Sequence, residues 1–99
     1  AAIMEHPAVS EAAVVAKHDA DRGSIVCAFV VLTEGVAGDD TLVKEIQEHV
    51  KATLAPYKYP REIRFVERLP RNTSGKLQHF ALRRRLEEEL RAAAEGAAS

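Results

Sequence analysis

The spacing of apolar positions in the first third of the chain predicts a strand hairpin. Residues 11–17 are rich in Ala and Val, and a polar turn at 18–24, with Gly23 as its pivot, separates them from a second apolar run at 25–32. This second run is apolar at odd and even positions alike, which is typical of a central strand covered on both faces. We therefore expect helices to flank the sheet.

The remaining periodicity predicts two long helices and a third strand. An apolar stripe every four residues marks the first helix, with Asp39 or Asp40 as its cap: Leu42, Ile46, Val50 and Leu54. Residues 62–67 alternate as a strand does, and a second four-residue stripe packs the final helix: Leu82, Leu86 and Leu90. With a short helix at 1–5, ended by Pro7, the order α-β-β-α-β-α predicts an α+β fold with a small antiparallel sheet of about three strands flanked by helices.

Length, composition and charge narrow the function classes. The 99 residues allow one domain, with 46% hydrophobic and 29% charged residues, and no apolar run approaches the ~20 residues of a membrane span. The formal net charge of −1 argues against nucleic acid as a partner. The basic run 83–85 is followed by the acidic run 87–89, and on a helix this spacing predicts a solvated, mutually paired face.

The metal-ligating and redox-active residue types are sparse. Cys27 is the one cysteine, so no internal disulfide can form, and its apolar surroundings predict a small core residue. Four histidines lie too far apart for a short metal-binding motif: His6, His18, His49 and His79. We expect no metal site and a cytoplasmic location.

The segment with the clearest chemistry is the run 69–76. Asn72 and Ser74 favour local hydrogen bonds from side chain to backbone, and Gly75 can adopt positive φ. Lys76 would then project from a rigid base, directly before a helix start whose unpaired N–H groups favour a bound anion. The alternative is a loop with a solvated lysine.

This loop is not the common nucleotide-binding P-loop. Pro70 stands where that motif requires a glycine, and Leu77 follows the lysine where it requires Ser or Thr. Taken alone, the run Ser74-Gly75-Lys76 therefore favours a loop with a solvated lysine.

Several motifs recur in one order along the chain. Three lie near its end: Leu69-Pro70, Thr73-Ser74-Gly75-Lys76 and Leu82-Arg83. Four precede them: His6-Pro7-Ala8-Val9, Glu11-Ala12-Ala13-Val14-Val15, Ala28-Phe29-Val30-Val31-Leu32 and Leu54-Ala55-Pro56-Tyr57-Lys58-Tyr59-Pro60-Arg61. In order and spacing they resemble the C-terminal domain of the adenylate-forming enzymes that activate carboxylic acids, the acyl- and aryl-CoA synthetases. The resemblance covers residues 3–90.

The resemblance implies a two-step reaction and the residues that serve it. A carboxylic acid and ATP, with Mg²⁺, form an acyl-adenylate, which CoA then converts to a thioester. Lys76 would be the catalytic adenylation lysine, positioned by Ser74 and Gly75. Tyr57, Tyr59 and Arg61 would bind the CoA nucleotide, since aromatic rings stack on bases and cations neutralise phosphates.

The resemblance also implies how the chain is organised and controlled. Residues 1–91 would be a lid domain and 92–99 a frayed tail, with an N-terminal catalytic domain and a hinge outside these residues. The isolated chain would bind no cofactor tightly and catalyse nothing. Lys76 would be open to reversible acetylation by a protein acetyltransferase, which removes its charge.

Three alternatives to an acid–CoA ligase stay open at this point. The residues from Ser74 to Phe80 look most similar to benzoate and related aryl-CoA ligases, but the acceptor could be a carrier-protein pantetheine instead. From another class, the chain could be a small module that binds nucleic acid or acidic protein through its basic helix. It could also be a purely structural domain.

Overall fold

The computed structural model describes residues 2–53 and 59–98 of a chain that divides into two compact units, 1–69 and 70–99. The elements of the first unit are a 3₁₀ turn (Ala2–Glu5), strands β1 (Val9–Asp19), β2 (Gly23–Leu32) and β3 (Glu62–Phe65), and helix α1 (Asp40–Thr53). The second unit contains helix α2 (His79–Ala98). The predicted α+β class, element order and three strands are confirmed, with the first helix reduced to one 3₁₀ turn.

The sheet has the order β1-β2-β3 and is mixed rather than wholly antiparallel. β1 and β2 form the predicted hairpin, turning at Gly23, whose φ is 81°. β3 pairs with β2 in parallel, from Cys27 opposite Glu62 to Val30 opposite Phe65. The expectation of an antiparallel sheet is wrong at β3 because α1 lies between the two strands, and a helical crossover returns the chain in the same direction.

Helix α1 covers one face of the sheet. Its stripe of Leu42, Ile46 and Val50 is buried and clusters with Ala28 and Val30 of β2. The fourth predicted stripe residue, Leu54, lies outside the described residues. Of the two candidate caps, Asp39 is the one used.

The cap itself is one hydrogen bond. The Oδ1 atom of Asp39 accepts from the backbone N–H of Leu42 at 2.9 Å, so α1 begins at Asp40 with one of its unpaired N–H groups satisfied.

Strand β2 is buried on both of its faces, as its unbroken apolar run predicts. Cys27, Ala28, Phe29 and Val30 are each 0% exposed. Cys27 is therefore a core residue, which confirms its predicted place. Burial, and next the nearby carboxylate of Glu62, raise the pKa of the Cys27 thiol to about 11, so it stays protonated at neutral pH.

The loop between β2 and α1 lies directly against β3. A Cβ atom at Gly38 would lie 2.5 Å from Cδ2 of the Phe65 ring, closer than two carbons can approach. Glycine is therefore required at this position by packing.

Helix α2 begins two residues after Leu77, not directly after Lys76, since the Leu77 backbone pairs with that of Arg71 instead. Leu82 and Leu86 are buried as predicted, whereas Leu90 is 53% exposed and the prediction that it packs is wrong.

The basic run and the acidic run of α2 form an ion pair with the predicted spacing. Arg85 Nε lies 3.4 Å from Glu89 Oε2, four residues further along the helix. The stretch 92–98 is helical, and fraying of this end stays a prediction. Within the described ranges no helix is long and apolar enough to cross a membrane.

Candidate functional site

The Lys76 loop is closed by a short backbone ladder. Arg71 and Leu77 form an antiparallel bridge, and the N–H of Gln78 donates to the carbonyl of Pro70 at 2.9 Å. Inside this ladder the N–H of Asn72 donates to the carbonyl of Lys76 at 3.0 Å. The residues from 71 to 76 are exposed, so these hydrogen bonds, and not burial, give the loop its shape.

The side chain of Asn72 organises the tip of the loop. Its Oδ1 atom accepts from the Ser74 N–H at 3.0 Å, the Ser74 hydroxyl at 3.0 Å and the Lys76 N–H at 2.9 Å. Its backbone carbonyl accepts from the Gly75 N–H at 2.9 Å. Gly75 has a φ of 83°, the left-handed region in which a side chain is strained. The hydrogen bonds between side chain and backbone that we expected are present for Asn72, whereas the Ser74 hydroxyl donates to the Asn72 side chain and not to the backbone.

Two further side chains hold the loop, and the sequence alone did not suggest them. Arg71 Nη1 donates to the Gly75 carbonyl at 2.9 Å, and Gln78 Nε2 donates to the Lys76 carbonyl at 3.0 Å. Both are long polar side chains, which carry no turn signature of their own. The ammonium of Lys76 is exposed, and within the described part of the chain it forms no ion pair or hydrogen bond.

The loop offers an anion a cationic side chain rather than a row of backbone donors. The N–H groups of Ser74, Gly75 and Lys76 all donate to Asn72, and α2 does not begin until His79. The prediction that a helix starts directly behind Lys76 is therefore wrong, and binding of an anion near Lys76 stays a prediction. What the loop presents is one unpartnered ammonium group on a well-defined backbone.

The predicted CoA-binding residues belong to the first unit. Arg61 Nη1 donates to the Tyr59 hydroxyl at 2.9 Å, with the guanidinium carbon 4.9 Å from the ring centroid. Lys51 places its Nζ 4.3 Å from the same centroid, so two cations contact one aromatic ring. Tyr57 lies outside the described residues.

Sequence reasoning missed Lys51 because a lysine outside the apolar stripe of α1 looks like any surface lysine, although its side chain is only 36% exposed. A second connection to that helix comes from Gln47, whose Nε2 donates to the Pro60 carbonyl at 3.0 Å. Tyr59 and Arg61 also line an open groove of about 320 Å³ beside the turn-proximal halves of β1 and β2. These contacts place an aromatic ring and its cations at the edge of a cavity.

The sheet carries a separate ionic network that the sequence did not suggest. Glu62 binds Lys17 through Oε1, and its Oε2 accepts from Arg64 Nε at 2.6 Å and from the Cys27 thiol at 3.8 Å. Burial acts to raise the pKa of Glu62, but the hydrogen bonds from Lys17 and Arg64 outweigh it and hold the pKa below its ordinary value of 4.5. The charges of this network are mutually satisfied.

A second titratable cluster lies where the 3₁₀ turn meets α1. The rings of His6 and His49 are edge to face at 5.7 Å, and each has a glutamate 3.9 Å from its Nε2. Among the residues described, no group of three or more His, Cys, Asp or Glu side chains is arranged to hold a metal ion.

Comparison with known proteins places these features in a family. Residues 1–76 match the family model of the AMP-binding enzyme C-terminal domain. The chain is 55% identical over 91 residues to the uncharacterized acyl–CoA ligase YtcI of Bacillus subtilis, covering 92% of this chain and 17% of that protein. It is 51% identical over 86 residues to the mitochondrial acyl-coenzyme A synthetase ACSM3 of Rattus norvegicus, covering 85% of this chain and 15% of that protein.

Solved structures agree with the sequence relatives. The acyl-CoA synthetase of Brucella canis superposes with a TM-score of 0.86 at 47% identity, over 90% of this chain and 16% of that one. The benzoate CoA ligase of Burkholderia xenovorans LB400 superposes with a TM-score of 0.77 at 45% identity, over 83% of this chain and 17% of that one. The chain thus spans about one sixth of the length of these proteins, and it belongs to the family of AMP-binding enzyme C-terminal domains.

Proposed function

We propose that this chain is the C-terminal domain of an ATP-dependent carboxylic acid–CoA ligase. In the first step a carboxylate oxygen attacks the α-phosphorus of ATP, the bond to the bridging oxygen breaks, and pyrophosphate leaves. In the second step the CoA thiol attacks the acyl carbon, giving the thioester and AMP. Residues 1–91 serve as the lid over a larger catalytic domain that carries the acid and nucleotide pockets.

The observation that carries this proposal is the unpartnered ammonium of Lys76 on a loop closed by hydrogen bonds. Negative charge accumulates on the phosphoryl oxygens while an anionic nucleophile approaches, so a preorganised cation lowers the barrier. Membership of the AMP-binding family supports this role for the lysine that ends the matched segment. Ser74 and Gly75 serve to position Lys76.

The test is to measure both half-reactions in the full-length ligase with Lys76→Ala. Pyrophosphate release should fall roughly 10²–10³-fold, while thioester formation from preformed acyl-adenylate should fall much less. Lys44→Ala, which removes an exposed lysine from α1, is the matched control and should leave both steps unchanged. Equal loss of both steps in Lys76→Ala would contradict the assignment.

The acceptor is CoA, and its nucleotide binds at Tyr57, Tyr59 and Arg61. The ring of Tyr59, its two cations and the adjoining groove support this part of the proposal, because CoA carries an adenine and several phosphate charges. Arg61→Ala should raise the KM for CoA about tenfold and leave adenylation intact, with Lys44→Ala again as control. A rise in the KM for ATP instead would argue against it.

The acid is an aryl acid such as benzoate. The similarity to a benzoate CoA ligase supports this choice, although the acyl-CoA synthetases match at comparable identity. A panel of aryl acids and fatty acids, read by pyrophosphate release, decides between them. ATP enters with Mg²⁺.

Three further properties follow from the proposed role. The 99-residue chain alone is inactive, because the proposed acid and nucleotide pockets belong to the larger catalytic domain, and mixing the chain with ATP·Mg²⁺ and acids should release no pyrophosphate. Acetylation of Lys76 by a protein acetyltransferase abolishes adenylation, and an enzyme that modifies other lysines but spares Lys76 would count against this. The location is the cytoplasm, and cell fractionation tests this against the mitochondrial location of the ACSM3 relative.

A further inference from the structure

Asn72 binds both backbone groups of Lys76. The Lys76 N–H donates to Oδ1 of Asn72 at 2.9 Å, and the Asn72 N–H donates to the Lys76 carbonyl at 3.0 Å. The two bonds close a ring between residues four apart in sequence. The position from which the Lys76 side chain departs is therefore determined by Asn72 from both sides.

The first of these bonds depends on the chemical nature of residue 72. Any residue with a backbone N–H can donate to the Lys76 carbonyl, but the bond to the Lys76 N–H needs a side-chain acceptor. Oδ1 of a carboxamide reaches two and four residues along the chain, where it collects the Ser74 and Lys76 donors. A hydroxyl is one atom shorter, and alanine has no acceptor.

Charge distinguishes asparagine from the other residue of the same shape. An aspartate would supply the same acceptor oxygen, but its carboxylate would also attract the ammonium of Lys76 and compete with an anionic ligand. The neutral carboxamide holds the backbone without engaging the side chain. Consistent with this, the described residues provide the Lys76 ammonium with no partner.

We propose that Asn72 is the positioning residue for Lys76 in adenylation, an inference that rests on the proposed function. Because the loop from 71 to 76 is exposed and contributes nothing to the buried core, its hydrogen bonds are not needed to hold the domain together. Their effect is to define where the ammonium meets the α-phosphate and the incoming carboxylate. Asn72 acts through Lys76 and does not itself touch the reacting atoms.

The experiment compares Asn72→Ala, Asn72→Asp and Lys76→Ala in the full-length ligase, with Thr73→Ala as matched control. Thr73 is exposed in the same loop, and its side chain has no hydrogen bond within the described residues. Each variant is measured for the kcat and KM of adenylation, for thioester formation from preformed acyl-adenylate, and for its thermal midpoint. The half-reaction split is the deciding readout, because a merely destabilised lid would slow both steps.

The expected result is a selective loss of the first step. Asn72→Ala should lower the kcat of adenylation roughly 10–100-fold with little change in the KM for ATP, since a misplaced group costs rate rather than affinity. Thioester formation and the thermal midpoint should stay near wild type. Asn72→Asp, which keeps the acceptor but adds a negative charge that competes for the Lys76 ammonium, should recover only part of the loss, and Thr73→Ala should behave as wild type.

Three other outcomes would overturn the inference, and they distinguish failure of the positioning role from failure of the proposed function. If Lys76→Ala loses adenylation while Asn72→Ala does not, or if Asn72→Ala slows both steps equally, the proposed function survives and the positioning role fails. If Lys76→Ala keeps full adenylation, the proposed function itself fails, and the inference falls with it.

Discussion

Two lysines of this domain have opposite surroundings. Lys17, on β1, binds Glu62 beside Arg64, and its side chain is 30% exposed. Lys76 stands on an exposed loop whose hydrogen bonds, one of them from the Arg71 guanidinium, leave the Lys76 ammonium without a partner among the described residues. The difference shows how one side-chain type serves two purposes: a paired ammonium stabilises the sheet, whereas an unpaired one is available to a ligand.

The sharpest test of this comparison removes each lysine in turn. Lys76→Ala should cost adenylation roughly 10²–10³-fold, or about 2.7–4 kcal/mol of transition-state stabilisation, with little effect on unfolding. Lys17→Ala should do the reverse and lower the free energy of unfolding by about 1–3 kcal/mol, because Glu62 loses a charged partner. Denaturant titration and pyrophosphate release on the same two proteins give both numbers. If both variants change mainly adenylation, or both change mainly the free energy of unfolding, the contrast between the two lysines is contradicted.

The second prediction concerns how the free energy of unfolding falls at acid pH. Since the folded-state pKa of Glu62 is depressed, its contribution is fully present above its unfolded pKa near 4.5 and is lost as pH falls through the folded value. Glu62→Gln should lower the unfolding free energy by about 1–2 kcal/mol at pH 7 and flatten its decline below pH 4.5. Urea titrations from pH 7 to 3 measure this. If the unfolding free energies of wild type and Glu62→Gln changed with pH in parallel, the ionic network of Glu62 would contribute nothing to stability.

The third prediction concerns a substitution that changes the backbone of the Lys76 loop and keeps the charge of Lys76. Gly75→Ala places a side chain at a φ of 83°, where no neighbouring atom lies within 4 Å, so the whole cost comes from backbone conformation. We expect about 1–2 kcal/mol of strain confined to the loop. Adenylation should slow while the thermal midpoint of the domain changes little. A Gly96→Ala variant, at a helical glycine with open space around it, is the control.

The smallest expected effect is at Cys27. Cys27→Ala removes one buried atom and should cost about 1 kcal/mol. Because the folded-state thiol pKa is raised to about 11, the stability it contributes is present below its ordinary value of 9.0 and is lost as pH rises through the folded pKa. The gap between wild type and Cys27→Ala should therefore narrow in alkaline unfolding curves. A gap that widens above pH 9 would contradict the raised pKa.

The sequence predicts those parts of the fold that depend on local periodicity. The stripe of α1 and the unbroken apolar run of β2 identified their elements, because each burial pattern has its own period. The direction of β3 was predicted wrongly, because its four residues carry no signal that distinguishes a parallel from an antiparallel partner. The exposure of Leu90 was missed because a stripe every four residues drifts around a helix of 3.6 residues per turn.

The candidate site likewise contains residues that the sequence predicted and residues that it could not predict. The turn residues Asn72, Ser74 and Gly75 were recognisable because their conformational preferences act over a few residues. The Lys17–Glu62–Arg64 network could not be predicted, since it joins residues 45 positions apart whose charges resemble those of any surface lysine or glutamate. The same holds for Lys51 at Tyr59, which lies on a different element.

The hydrogen bonds that shape the Lys76 loop have a consequence for engineering. The hydrogen bonds of this loop begin at Pro70 and end at Gln78. The loop is therefore a nine-residue segment held in shape by its own hydrogen bonds. Such a segment can be exchanged as a unit between related domains without redesigning their cores. Swapping it would carry the presentation of Lys76 along with it, so the geometry proposed for adenylation could be transplanted independently of the sheet and of α1.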